Sequence, residues 1–561
     1  CFFSYGKNSF FYYDKQKRVN ILESLYKSMK VNYSLWEIKE KRLKNFIPDK
    51  VFKQAIKKEK AIVDATTDIG RAIANQNFLD RIRFLLAKFK DTHLRSHSSV
   101  PRPFIYNGIK LARVKGEYFV IKKNKKILSF IKKNKREVDL GDKLISIDGK
   151  KPDYYVDKYK RYHFSSSDLW ASEKALQSIT ERNFLYPTKG DSKFRFERSK
   201  SNETYEVSLT YFYRDNKRVD NKVFFDYFSI PSARRINSIW SQSNQAWQRY
   251  RSLPWQGYDY YKHSENYVPY ATYLDLHKRS RVYELGFYIK NSKSYGVLKV
   301  MSFKGKRLVN AQSNKKSLYF TPIRDFILLL KRTKSNLIID MRKNLGGKGR
   351  YPEKLLGILS PKGSKYLPST WMLRITPRIR QMLEIVNSKK NKVGPTKDSR
   401  IALEAMQESI KHGRTHTSAF LRRGYIVADA TVGGYDGKII MLQSGGCISS
   451  CDIFASLMKR SKRGILFGVE TNGTGAGARS NKFFDSIIWQ DDYYSVKINI
   501  PNALFGVPAD PLTLKKSNSY FDMNVENIPT KPDYYYDSKY SDYFNNDKGW
   551  YDSAIRVLEG V

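Results

Sequence analysis

Two serines, Ser449 and Ser450, stand between Cys447 and Cys451 in "SGGCISSCDIFASLM" (444–458). Glycines precede them and an apolar run with helical spacing follows. A serine in that place sits at a helix N-terminus, where unpaired N–H groups and the helix dipole favour negative charge on a reacting oxygen. The same residue types equally suit a helix cap in a small-residue turn. A second loop, in "SNLIIDMRKNLGG" (335–347), follows a buried strand, and ligand sites of open parallel sheets lie beyond the carboxyl ends of strands. "KFKDTHLRSHSS" (88–99) supplies histidines after an amphipathic helix, and histidine is the natural proton acceptor near neutral pH. The cysteines lack metal spacing with histidine, and "GTGAG" (473–477) lacks a phosphate-loop lysine, so no metal or cofactor is expected.

The elements that must position these residues fall into segments. Residues 1–17 read as a tether and 18–102 as a helical domain, in which Phe78, Ile82, Leu85, Leu86 and Phe89 recur at helical spacing. Period-two alternation in "GEYFVIKK", "KKILSFIKK", "DKLISIDGK", "KFRFERS" and "TYEVSLTYFY" predicts strands across 103–215. Residues 216–290, rich in Trp, Tyr, Ser and Arg, show no period and read as a linker or accessory region. From 291 to 561 apolar strands alternate with amphipathic helices, which predicts an α/β core with a mainly parallel sheet. A basic, largely helical insertion at about 360–432 is a candidate lid. The fold class expected is thus α+β multidomain.

The chain has 561 residues, and 41% of them are hydrophobic, enough to bury several cores. Its formal charge of +49 favours anionic surroundings, but the excess is spread along the chain apart from short clusters such as "IKKNKKILSFIKKNKR" (121–136). "KSYGVLKV" (293–300) lacks the glycine and the aromatics of an RNA-stacking strand. No nucleic-acid partner is expected. No apolar run of about 18 residues exists. A chain starting at Cys1 suggests a mature bacterial lipoprotein, lipidated on that cysteine. That places it in the cell envelope, an oxidising compartment where Cys447 and Cys451 can pair. Phe2 in place of Asp points to the outer membrane.

Taken together, "LIIDMRKNLGG", "SGGCISSCDIFASLM" and "GVETNGTGAG", following "LGDKLISIDGKKP" (140–152), resemble the carboxyl-terminal processing (tail-specific) serine protease family, which includes the tricorn core. The resemblance covers roughly 70–555, with firm motifs from 294 on. It implies a PDZ-like domain over 103–215 and a ClpP/crotonase-like core. The family nucleophile lies three residues before an acidic residue, here Asp452, so it maps to Ser449. Ser450 N–H, with one from Gly346 or Gly347, would form the oxyanion hole, and Asp452 would cap the helix.

The processing proteases take their base from a lysine where this chain has Thr474, and Lys482 lies too far along to replace it. The tricorn-like branch uses instead a His preceded by a hydroxyl residue. That maps to Thr92 and His93, with His97 as the competitor. A glutamate near the C-terminus, in "VENIPTKPDYYYD" (525–537), maps to Glu526, orienting His93 through Thr92; Glu470 and Asp91 are the alternatives. The resemblance implies a serine endopeptidase of the envelope that hydrolyses protein or peptide substrates. Two rivals remain: a non-catalytic binding lipoprotein on the same fold, and a basic protein that binds anionic glycans or lipid.

Overall fold

The computed structural model describes residues 12–98, 104–124, 128, 137–185, 191–213, 264–277, 280–388, 397–421, 424–477, 485–490, 495–507 and 524–560. Cys1, Lys482 and the expected strand at "KKILSFIKK" lie outside these residues, apart from the single residue Leu128.

The central element is a nine-stranded sheet. Lys293–Val300, Leu337–Asp340, Ile439–Gln443, Ile465–Gly468 and Tyr534–Tyr535 run parallel, in that order. The three inner strands read as continuous apolar runs because both of their faces are covered. Ile338, Ile440 and Leu442 pack on Trp550, Tyr551, Ile555 and Leu558 of the C-terminal helix Lys548–Gly560. Ile339 and Met441, one residue on, face the opposite way, toward Ile327 and Leu330 of Thr321–Arg332 and Phe454, Leu457 and Met458 of Ser450–Ser461. Side chains that alternate across a strand produce this division.

The sheet is less parallel than the sequence suggests. Arg281–Lys290 pairs antiparallel with Lys293–Val300, followed by Tyr267–Asp275, Arg307–Asn310 and Lys316–Leu318. The first hairpin closes on Asn291 and Ser292, at φ 49° and 60°, a two-residue turn whose twist matches the strands. Residues 264–290, without period in the sequence, therefore build core strands rather than a linker.

The amino-terminal helices are Lys15–Asn32, Trp36–Arg42, Pro48–Lys60 and Asp68–Ala87. The described residues reach into the expected tether: Asp14 caps the first helix and Tyr13 is fully buried. Leu25, Met29, Phe52, Phe78 and Phe89 share one core with Met372, Val496, Ile498 and Leu504 from the other end of the chain. Between them, Ile109–Val114, Glu117–Lys123, Lys143–Ile147, Asp191–Glu197 and Thr204–Thr210 form a five-stranded antiparallel sheet. Helices Pro152–Lys160 and Asp168–Thr180 pack on it through Val156, Tyr159, Ala175 and Ile179. The insertion carries helices Pro377–Asn387 and Lys397–Lys411, and its strand Thr370–Leu373 pairs with Ala503–Gly506. Among the described residues no helix is long and apolar enough to cross a membrane.

Candidate active site

Ile439–Gln443 ends in the turn 444–449, and Ser450–Ser461 starts at once. Ser449 occupies the N-cap at φ 62°, ψ −115°, a conformation that a residue with a Cβ rarely adopts and that the surroundings must hold in place. Asp452 does much of the holding. It is buried, and its carboxylate accepts from Ser449 N–H at 2.7 Å, Gly473 N–H at 2.8 Å and Thr474 N–H at 3.2 Å. Burial pushes its carboxyl up to about 7. Cys447 and Cys451 are bonded, with an S–S distance of 2.01 Å and Cα atoms 5.1 Å apart, inside the range a disulfide spans.

The glycine loop faces this turn. A Cβ on Gly346, at φ 81°, would lie 2.6 Å from Ile448 O, 2.8 Å from Ser449 Cβ and 3.0 Å from Ser450 N. Gly346 N–H donates to Asn344 Oδ1 at 2.8 Å, so it is committed within its own loop. Ser450 Oγ donates to Gly347 O at 3.0 Å. Among the described residues no hydrogen bond takes the N–H of Gly347 or of Ser450. These two remain for an oxyanion.

Thr92 and His93 come to the same place from the far end of the sequence. Thr92 Oγ1 donates to Asn472 Oδ1 at 2.7 Å, and Asn472 N–H donates to Cys447 O at 3.0 Å. Two hydrogen bonds thus tie the His93 loop to the Ser449 turn. His93 N–H donates to Asp91 Oδ1 at 2.7 Å, while Asp91 Oδ2 accepts from Tyr33 Oη at 2.9 Å. His93 Nδ1 is buried without a partner among the described residues. Burial pushes the imidazole down to about 4; Arg95 and Lys304 push the same way and Glu526 opposes them. His93 is neutral at pH 7, the form a proton acceptor requires.

Glu526 is fully buried and does not touch Thr92 directly. Ser166 stands between them. Its Oγ donates to Glu526 Oε1 at 2.9 Å, its N–H donates to Thr92 Oγ1 at 3.0 Å, and the two hydroxyls are 3.3 Å apart. The expected direct link is corrected to a relay through one residue, because Ser166, just before the helix Asp168–Thr180, is inserted between the two. Gly475 N–H donates to Glu526 Oε2 at 2.6 Å, and Lys39 Nζ to Oε1 at 2.6 Å.

Of the alternatives, Asp91 holds the His93 backbone, and Glu470 is half-buried beyond Ile465–Gly468. His97 lies in the strand Arg95–Ser98 opposite Lys497, its side chain outside the described residues. Thr474, at the place of the family lysine, donates to Asn472 Oδ1 at 2.7 Å. Sequence reasoning missed Lys39, Ser166 and Asn472. "FSSSDLW" (164–170) reads only as a helix cap, which Ser167 indeed provides, and a lysine in a helix gives no sign of burial.

The model of peptidase family S41 matches residues 294–499. No curated protein matches the chain. Among solved structures, mature CPAF complexed with lactacystin is similar at a TM-score of 0.67 and 13% identity, over 97% of this chain and 98% of that one. Mature CPAF itself is similar at 0.67 and 14%, over 96% of each chain. At such identities the likeness is one of fold.

Proposed function

We propose that this chain, whose residues 294–499 match the model of peptidase family S41, is a serine endopeptidase working through Ser449, His93 and Glu526. Ser449 Oγ attacks a peptide carbonyl while His93 accepts its proton. The oxyanion is received by the N–H groups of Ser450 and Gly347, with the dipole of Ser450–Ser461 behind them. His93 returns the proton to the leaving amine, then draws one from the water that releases the acyl group. Glu526, whose charge favours the protonated ring of His93, stabilises the imidazolium formed between these steps, while Ser166 and Thr92 join it to the loop that carries the histidine.

The observation that carries this reading is convergence. A strained serine at a helix N-terminus stands beside uncommitted backbone N–H groups, and the loop carrying a neutral histidine is tied to the same turn through Thr92 and Asn472, though they come from separate stretches of chain. The five-stranded sheet with its two helices supports a PDZ-like reading of 103–215, with substrate strands added at an edge. The Cys447–Cys451 bond supports an oxidising compartment such as the bacterial envelope.

A fluorophosphonate probe tests the proposal. Wild-type protein is expected to take the label on Ser449, while Ser449→Ala takes none and His93→Ala labels at least ~100-fold more slowly. A folded wild type that stays unlabelled sinks the peptidase reading in favour of a binding protein on the same fold.

A further inference from the structure

Lys39 is buried with no accessible surface, in the short helix Trp36–Arg42 near the start of the chain. Its three donors are all used. Nζ donates to Glu526 Oε1 at 2.6 Å, to Asn527 Oδ1 at 2.6 Å and to Lys90 O at 2.9 Å. Asn527 Nδ2 donates to the same Lys90 carbonyl at 3.1 Å and to Ser166 O at 2.8 Å. Lys90, at φ 45°, is the left-handed residue at which the chain leaves its helix for the His93 loop. One ammonium group therefore clamps the buried glutamate and the root of the loop that carries the histidine.

A lysine fully removed from water is costly unless paired and hydrogen-bonded. This one sits where it decides whether Glu526 keeps its charge. Gly475 N–H and Ser166 Oγ also donate to the Glu526 carboxylate, and among the described residues Lys39 is the cation that bonds it. Arg42 donates to the backbone carbonyl of Glu526. Burial raises the Glu526 carboxyl above its ordinary value, Asp91 as a like charge adds to this, and Lys39 opposes both. Tyr33 is committed to Asp91, and His93 is the group to be oriented.

We infer that Lys39 is a positioning residue for the peptidase site, holding Glu526 ionised and anchoring the Lys90 carbonyl so that, with Ser166 and Thr92, it keeps the His93 loop in place. The inference rests on the assignment of Ser449 and His93 made above. It gives the amino-terminal helices a part in the chemistry.

The rate of fluorophosphonate labelling, followed across pH, tests it. Without its cation a buried glutamate holds its proton to higher pH. Folded Lys39→Met is expected to label about tenfold or more slowly than wild type at pH 7 and to regain rate as pH rises. The double variant Lys39→Met, Glu526→Gln stays slow at every pH. Lys39→Arg, which keeps the charge, stays within about threefold of wild type. Ser166→Ala, which cuts the relay without changing a charge, is slow by about tenfold throughout.

A Lys39→Met protein with the wild-type profile overturns the inference, and so does one slowed by the same factor at all pH. If Lys39→Met does not fold, Ser166→Ala and Lys39→Arg decide. A wild-type rate in the first, or loss of labelling in the folded second, overturns it. A wild type that never labels overturns the peptidase reading itself, a result distinguishable from these.

Discussion

A methyl group at position 346 would lie within 3 Å of both Ile448 O and the Ser449 side chain, at a backbone angle that L-residues rarely adopt. Gly346→Ala is therefore expected to push the oxyanion loop off the nucleophile turn. Labelling of Ser449 should fall by about 100-fold or more, with a melting temperature lowered only moderately; unchanged labelling would place the oxyanion donors elsewhere. At this scale the place of Ser449 at the start of a helix was legible, and the family resemblance pointed to it and to His93 as site residues. Ser166 was not, because a serine ahead of a helix serves as a cap far more often than as a relay, and only the packing of Asp168–Thr180 beside Glu526 separates the two roles.

At the scale of elements, Asp452 joins two of them. It caps Ser450–Ser461 through Ser449 and also takes two N–H groups of the loop 473–474. Asp452→Ala leaves three buried donors without an acceptor, at about 1–3 kcal/mol for each such group before relaxation. The expected result is a loss of roughly 3 kcal/mol or more in a denaturant titration together with slower labelling. A loss confined to a few tenths would mean that the cap is dispensable. The strand–turn–helix unit around it was readable because its apolar run and its cap are local signals. The hairpin of Arg281–Lys290 and Lys293–Val300 was not, since the first strand's partners on its other side lie in a stretch with no period of its own.

At the scale of the whole molecule, the two ends of the chain hold one another. Arg42 donates to the carbonyl of Asn524 at 2.9 Å, Lys39 reaches Glu526, and Arg374 of the insertion region pairs with Glu37 at 2.8 Å. His416 in that insertion is buried against Ser34 O at 2.9 Å. Burial lowers His416 and His93 to about 4 from 6.5, and lowers His163 well below it.

The unfolded chain therefore binds protons on these histidines near pH 6.5 while the folded chain does not. Their contribution is present above that pH and is lost as pH falls from about 6.5 toward 4, on the order of a few kcal/mol in sum. Asp340, held below the usual carboxylate range by Arg342 despite its burial, loses its share in more acid solution. Asp452 and Glu173, whose carboxyls burial raises to about 7, act in the opposite sense over the same range, so the check is made on the rings themselves: the NMR resonances of His93 and His416 should keep their neutral positions down to about pH 5. Rings that titrate near 6.5 would mean that the histidines are hydrated in the folded protein.

By itself the sequence determined the strand–glycine loop–helix pattern of the core and the place of Ser449 at the start of a helix. These are local matters, set by residue type and spacing along a few turns of chain. Only the tertiary structure decided that residues 264–290 belong to the central sheet, that Ser166 lies between Glu526 and Thr92, and that Lys39 reaches across nearly the whole chain to Glu526. Strand partners and buried ion pairs join residues hundreds of positions apart, and no periodicity records which of them meet.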